Sequence, residues 1–166
     1  MAFTRDAANG RGRPGRSTGI VRPARWNGSW TIRAPRERVY AVMTGFENWP
    51  TLFPGMVKSV RVVSRTESET VLEGDFDLLG RKGRGVMCVR LDPPRGYVAE
   101  NTSEELGEER ESLEFEESPG GTLYRWAVEA KPKGFLNHLL GIVGGFYVRR
   151  YYERTLIVPL RKAVER

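Results

Sequence analysis

The residue types that most often carry catalysis or metal binding are scarce in this 166-residue chain. It contains one histidine, His138, and one cysteine, Cys88. A zinc site of the usual kind needs four Cys or His ligands, so this composition excludes one, and it excludes an internal disulfide as well. A Ser-His-Asp triad would have to use His138, which we expect near the solvent edge of a C-terminal helix. We therefore predict no catalytic residue, no metal and no cofactor.

Carboxylates are the other candidates for acid–base chemistry, and their positions in alternating segments argue against that role. Successive side chains of a strand point to opposite faces of the sheet. Within residues 69–79, Leu72 and Phe76 share one face and acids occupy the other, and Leu113 and Phe115 alternate with glutamates in the same way. We predict that the following acids all face solvent: Glu73, Asp75, Asp77, Glu114, Glu116 and Glu129.

The C-terminal segment, residues 135–166, predicts one long helix. Arg150 and Arg154 border its apolar stripe, where they can hold an acidic head group or extend into solvent. Pro159 is expected to kink or weaken the helix. The apolar stripe follows the spacing of a helix surface through Leu136, Leu140, Val143, Tyr147 and Tyr151.

The remaining elements predict an α+β chain. A strand at 29–33 precedes short helical segments at 36–44 and 46–53, and about six antiparallel strands follow between 57 and 130. The sheet has one apolar face that must be covered, and the final helix has an apolar stripe that must be buried. Packing the helix across the sheet satisfies both requirements.

The net charge of +6 lies almost wholly in the first 25 residues, which carry +5 against +1 for the rest. Residues 1–25 lack apolar periodicity, so we predict a flexible basic tail there and a domain at 26–166. The tail is a solvated leader, an organellar targeting segment, or an arm for nucleic acid, anionic lipid or a larger assembly. The sequence has neither an apolar secretory region nor a membrane-length apolar run, so we expect a cytoplasmic location, with an organellar one as the alternative.

Residues 34–50, with the sequence APRERVYAVMTGFENWP, and the following residues 51–65 resemble the opening of the cyclase/dehydrase branch of the START-like superfamily, also called SRPBCC. The resemblance covers about residues 28–165 and departs at Gly45, where relatives often carry an acid. The branches of this superfamily include polyketide cyclases, ligand carriers and coenzyme-Q-binding proteins, and the motif does not separate them. The resemblance implies the helix-grip fold, in which a seven-stranded antiparallel sheet wraps a long C-terminal helix, with two short helices after the first strand and a cavity for a hydrophobic ligand.

The walls of such a cavity would come from the apolar faces of the sheet and helix. Glycines at 74, 141, 144 and 145 indicate close approach of a ligand or a neighbouring strand, or a helix kink, because a glycine inside a helix costs about 1 kcal/mol relative to alanine. The predicted ligand-binding residues are Phe76, Met87, Val89, Leu113, Phe115, Trp126, Val128, Leu140, Val143 and Tyr147.

Three functions remain open at this point. The favoured one is non-catalytic binding or carriage of a hydrophobic small molecule such as a quinone, a polyketide or a lipid, because no ionisable residue is expected to face inward. A polyketide cyclase or dehydratase would need at least one inward polar residue with a perturbed pKa. An interaction protein of a larger assembly would have a filled core and would use its basic tail to bind nucleic acid or a partner complex. Separately, the tail could contact a membrane surface or another anionic partner.

Overall fold

The computed structural model describes residues 23–132 and 136–165, with side chains for all of these except 132 and 136–143. The predicted tail therefore lies almost wholly outside the described residues. Within the described part of the chain, no helix has both the length and the apolar content needed to cross a bilayer. The elements in chain order are β1 (Ala24–Ile32), α1 (Arg36–Thr44), a 3₁₀ turn (Phe46–Asn48), α2 (Trp49–Leu52), β2 (Val57–Arg65), β3 (Glu69–Leu78), β4 (Arg81–Asp92), β5 (Gly96–Ser103), β6 (Gly107–Ser118), β7 (Gly121–Pro132), α3 (Leu136–Tyr152), a π-helical turn (Glu153–Ile157) and α4 (Val158–Val164).

The seven strands form one antiparallel sheet in the order β1-β7-β6-β5-β4-β3-β2. Strands β2 to β7 pair with their neighbours in sequence, and β1 pairs along the free edge of β7 from Ala24–Ala130 to Ile32–Thr122. The α+β architecture and the seven-stranded sheet are confirmed. Strand β1 is longer than the predicted segment 29–33, because Trp26 and Gly28 continue the alternation of Trp30.

The predicted apolar faces of the central strands are also confirmed, and they form the core. Leu72, Val89 and Tyr124 on these faces are fully buried. The two short helices cover one end of this face, where Met43 and Phe46 are buried and the Trp49 Nε1–H group donates to the Met43 carbonyl oxygen at 3.1 Å. The short helices therefore contribute aromatic packing to the core, and α1 contacts both β6 and α4.

The C-terminal helix differs from the prediction of one regular helix. A π-helical turn separates α3 from α4 and ends at Ile157, two residues before Pro159. The missing N–H group of Pro159 removes one hydrogen bond of a regular helix. The buried side chains are one residue out of step with the predicted stripe, since they lie at Val148, Tyr152, Leu156, Leu160 and Val164. Residues spaced by four in an α-helix are rotated about 40° beyond one full turn, so buried side chains at that spacing drift around the helix axis. The wider π turn offsets part of this drift.

Two of the four glycines singled out in the sequence are explained by close packing of the chain itself. A Cβ atom at Gly74 would overlap the Ser59 carbonyl oxygen of β2, next to an irregularity in the β2–β3 register. A Cβ atom at Gly144 would lie 3.0 Å from Trp26 Nε1 of β1, whereas one at Gly145 would meet nothing within 4 Å. The side-chain environment of residue 141 lies outside the described residues. Gly74 and Gly144 therefore accommodate neighbouring strands and are not evidence for a ligand.

This difference in packing predicts a gain in stability for an alanine at residue 145 and none for an alanine at residue 144. Gly145→Ala should raise the free energy of unfolding by about 0.5–1 kcal/mol, because alanine favours the helix and its methyl group meets open space. Gly144→Ala should give no such gain, since its methyl group presses on the Trp26 indole. Urea unfolding followed by far-UV circular dichroism measures both. Equal gains in the two variants would contradict the described packing of α3 on β1.

Candidate functional site

A cavity of about 110 Å³ lies between the inner face of the sheet and helix α3. A cavity of this size accommodates a small ring or several water molecules, and it is smaller than a typical pocket for a drug-sized ligand. Most of its lining is apolar, and the aromatic members include Trp26, Trp49, Phe53, Phe76, Tyr97, Trp126, Tyr151 and Tyr152.

Four of the predicted binding residues line this cavity. Phe76, Met87, Trp126 and Val128 come from three different strands and all contribute to its wall. Their apolar side chains lie on the inner face, as the alternation indicated. Their contact with a ligand stays a prediction. The predictions for Leu140 and Val143, and for His138, fall on side chains outside the described residues.

Four other predicted binding residues do not form part of the described lining. Val89, Leu113 and Phe115 are at most 2% exposed and belong to the hydrophobic core. Tyr147 is 57% exposed, because Val148 and Tyr152 are the residues that α3 turns toward the sheet. The shift of the buried stripe by one residue thus moves Tyr147 to the outside, where it lines a surface groove with Arg150 and Arg154.

One end of the cavity is polar, and Glu111 of β6 is its centre. The Trp126 Nε1–H group donates to Glu111 Oε1 at 2.6 Å, and the Tyr152 hydroxyl donates to the same oxygen at 3.2 Å. The Tyr124 and Tyr152 hydroxyl oxygens are 2.7 Å apart and share a further hydrogen bond. The indole of Trp126 also stacks on the ring of Tyr152, with centroids 4.1 Å apart. The network fixes both rings and aligns the carboxyl group of Glu111.

Glu109 and Asn101 extend this polar end. Glu109 lies two residues before Glu111 on the same face of β6 and directly opposite Asn101 of β5. Cross-strand partners of this kind have Cβ atoms about 5 Å apart. Asn101 Oδ1 is buried and accepts no hydrogen bond from the described residues. Three acceptor groups, two of them carboxyls, therefore share one end of an otherwise apolar cavity.

Burial keeps both carboxyl groups protonated to unusually high pH. Burial raises the pKa of Glu109 to about 7, and burial together with the Glu109 charge raises the pKa of Glu111 to about 8. The hydrogen bonds from Trp126 and Tyr152 act in the opposite direction on the pKa of Glu111. Near neutral pH both carboxyl groups of the pair therefore gain and lose protons readily. A neutral carboxyl group can donate a hydrogen bond to a ligand, whereas an ionised one only accepts.

These two glutamates correct the expectation that no ionisable residue faces inward. The sequence contained the signal, because positions 109 and 111 continue the face of Leu113 and Phe115 toward the start of the strand. The predicted strand begins at Glu111, which already shares the face of Leu113 and Phe115, whereas β6 begins at Gly107 and places Glu109 on that face as well. The stretch from Gly107 to Ser112 is hydrophilic, although its alternation is that of a strand.

The ionisable side chains in the described cavity lining include acids but no bases. None of its described members is Lys, Arg or His, although the chain contains 27 Lys and Arg residues. Of the other two acids in the lining, Glu108 pairs with Lys131 at 3.3 Å and Asp77 Oδ1 accepts from the Gly80 amide. Across the described residues, no group of three Cys, His, Asp or Glu side chains is placed to hold a metal ion.

Solved structures with the same fold include an aromatase/cyclase and a lipid transfer protein. ZhuI aromatase/cyclase from Streptomyces sp. R1128 is 15% identical over 85% of this chain and 93% of its own, with a TM-score of 0.67. A START superfamily protein from Mycobacterium smegmatis is 16% identical over 85% and 97%, with a TM-score of 0.68. A STAR-related lipid transfer protein from Xanthomonas axonopodis is 12% identical over 84% and 85%, with a TM-score of 0.65. At these identities the likeness shows the fold alone.

No curated protein matches the sequence. The family model described as polyketide cyclase/dehydrase and lipid transport matches residues 23–165, which is nearly the whole described domain. The match includes every strand, the short helices and the C-terminal helix that together enclose the cavity. The chain therefore belongs to the polyketide cyclase/dehydrase and lipid transport family.

Proposed function

We propose that this protein binds and carries a small hydrophobic molecule that has a ring and one polar group. The observation that carries the proposal is the cavity itself, which is walled largely by aromatic and aliphatic side chains and has Glu109, Glu111 and Asn101 together at one end. Aromatic and aliphatic walls supply affinity by burying the ring, and a few convergent polar groups orient it. A quinone, a polyketide fragment or a lipid head with a ring has the required chemistry.

The test is a matched pair of substitutions on β7. Ala130→Leu places three extra carbons in the cavity wall, whereas Ala127→Leu makes the same change on the exposed face of the same strand. With 2-phenylethanol as the probe, Ala130→Leu should raise the Kd by about tenfold and Ala127→Leu should leave it unchanged. Amide chemical shifts followed during the titration report both affinity and location. Equal affinities in the two variants, or no binding to the unmodified protein, would overturn the proposal.

The two inward glutamates favour a second candidate, acid–base catalysis on a β-hydroxyketone. In such a dehydration one carboxylate removes the proton next to the carbonyl, a neutral carboxyl protonates the leaving hydroxyl, and water and an enone are formed. The raised pKa values of Glu109 and Glu111 allow one neutral and one ionised group near pH 7. Incubation of the protein with 4-hydroxy-4-phenyl-2-butanone should then produce the ultraviolet absorbance of the enone. Glu111→Gln should remove that absorbance. No absorbance above the buffer rate would reject this candidate.

The structure offers less support for the third candidate, an interaction protein with a filled core. The core of this protein contains a cavity, and the basic tail on which an interaction function depends lies almost wholly outside the described residues. Binding to a membrane surface or another anionic partner through residues 1–25 remains a separate proposal. Deletion of those residues should leave the Kd for 2-phenylethanol unchanged if the cavity alone binds the ligand.

A further inference from the structure

The polar end of the cavity has acceptors and gains negative charge when Glu109 and Glu111 ionise, yet none of the described lining residues carries a positive charge to balance it. Glu109 makes no ion pair among the described residues, and the hydrogen bonds to Glu111 come only from the neutral groups of Trp126 and Tyr152. A buried carboxylate without a cation is unfavourable. The groups that face Glu111 from neighbouring elements are Tyr97 of β5, Glu109 of its own strand, Tyr124 of β7 and Tyr152 of α3, and none of them carries a positive charge.

The aromatic walls of the cavity also favour a bound cation. Trp126 and Tyr152 donate hydrogen bonds to Glu111, and one face of each ring is covered by the other. Tyr97 belongs to the same lining, where burial and, after it, the Glu111 charge raise its pKa. The lining also includes the rings of Trp26, Trp49 and Phe76. Aromatic faces attract cations, most strongly where water is excluded. The lining therefore combines the two features that recognise an organic cation, which are ring faces and carboxylates.

We propose that the cavity selects a small aromatic or aliphatic primary amine, bound as the ammonium ion. Glu109, Glu111 and Asn101 Oδ1 offer three acceptors for its three N–H donors, and the apolar walls take its hydrocarbon part. This inference rests on the proposed function and narrows its ligand class. It also accounts for the unpaired Asn101 Oδ1, which gains a donor when the amine binds.

Three isosteric probes separate the head group from the ring. Phenethylamine, 2-phenylethanol and phenylacetate carry a cation, a neutral hydroxyl and an anion on the same two-carbon phenyl frame. At pH 8.5 phenethylamine should bind about tenfold tighter than 2-phenylethanol, and phenylacetate should bind weakest. The amine should bind tighter at pH 8.5 than at pH 6, because it favours the ionised carboxylates, and its binding near pH 7 should release protons. Calorimetry in buffers of different ionisation enthalpy measures that release.

The variants that test the assignment are Glu109→Gln, Glu111→Gln and the double substitution. Each amide has nearly the shape of the protonated carboxyl, so circular dichroism should show an intact fold. The double variant should lose most of the tenfold preference for phenethylamine over 2-phenylethanol. Equal or tighter binding of the alcohol to the unmodified protein, or strongest binding of phenylacetate, would overturn the amine inference alone. Failure of all three probes to bind would overturn the proposed function as well.

Discussion

Raising the pH from 5 to 9 should destabilise this protein, and Glu111→Gln should remove much of that loss. Below the ordinary carboxyl pKa of 4.5, Glu111 is protonated in both the folded and the unfolded states, so the folded state has its full stability. As the pH rises, the unfolded chain releases its proton first, while the folded state retains the proton until the pH reaches about 8. Stability is therefore lost across this window and is constant above it.

The expected difference between Glu111→Gln and the unmodified protein is small at pH 5 and on the order of 3 kcal/mol at pH 9. Guanidinium unfolding at both values, followed by far-UV circular dichroism, measures it. Glu109 titrates in the same direction, so Glu109→Gln should give a similar but smaller effect. Glu114→Gln, on the exposed face of the same strand, is the control and should follow the unmodified protein. Parallel pH profiles for Glu111→Gln and Glu114→Gln would refute an inward, protonated Glu111.

Local alternation was sufficient to predict the strands and the faces they bury. The period of two along β3 and β7 depends only on the extended backbone, so Phe76 and Trp126 could be placed inside from sequence alone. The short helices were equally predictable, because Pro35 and Gly45 bound a segment with helical spacing. The same rule would have placed Glu109 and Glu111 inside, had alternation been followed through a hydrophilic stretch.

Other features depend on contacts that no local pattern contains. The rotation of α3 is set by Gly144 against Trp26 and by the π turn before Pro159, and it decides that Tyr152 faces the cavity and Tyr147 faces solvent. The cavity volume depends on how far the core side chains fill the space under the helix. Val89, Leu113 and Phe115 have the same apolar character as the lining residues, yet they are buried in the core and do not line the cavity. Composition cannot distinguish the two groups.

Trp126→Ala should be among the most destabilising single substitutions in the described domain, with a loss of about 3–5 kcal/mol. Trp126 is 4% exposed, stacks on Tyr152 with centroids 4.1 Å apart and donates to Glu111. Its removal enlarges an existing cavity and takes away a hydrogen bond that lowers the pKa of Glu111. Guanidinium unfolding at pH 5.5 measures the packing loss, because Glu111 is then neutral. A loss below about 1 kcal/mol would contradict the buried stacking.

Trp126→Phe separates the hydrogen bond from the ring. Phenylalanine retains aromatic packing and lacks the N–H donor, so its effect should be smaller than that of alanine and should grow with pH. At pH 5.5 it removes a bond to a neutral carboxyl, and at pH 9 it removes a charge-assisted bond to a carboxylate. Trp26→Phe is the matched control, since Trp26 also lines the cavity but its indole makes no hydrogen bond among the described residues. A pH-independent cost for Trp126→Phe would mean that Glu111 does not ionise beside this indole, and the case for an uncompensated charge in the cavity would fail with it.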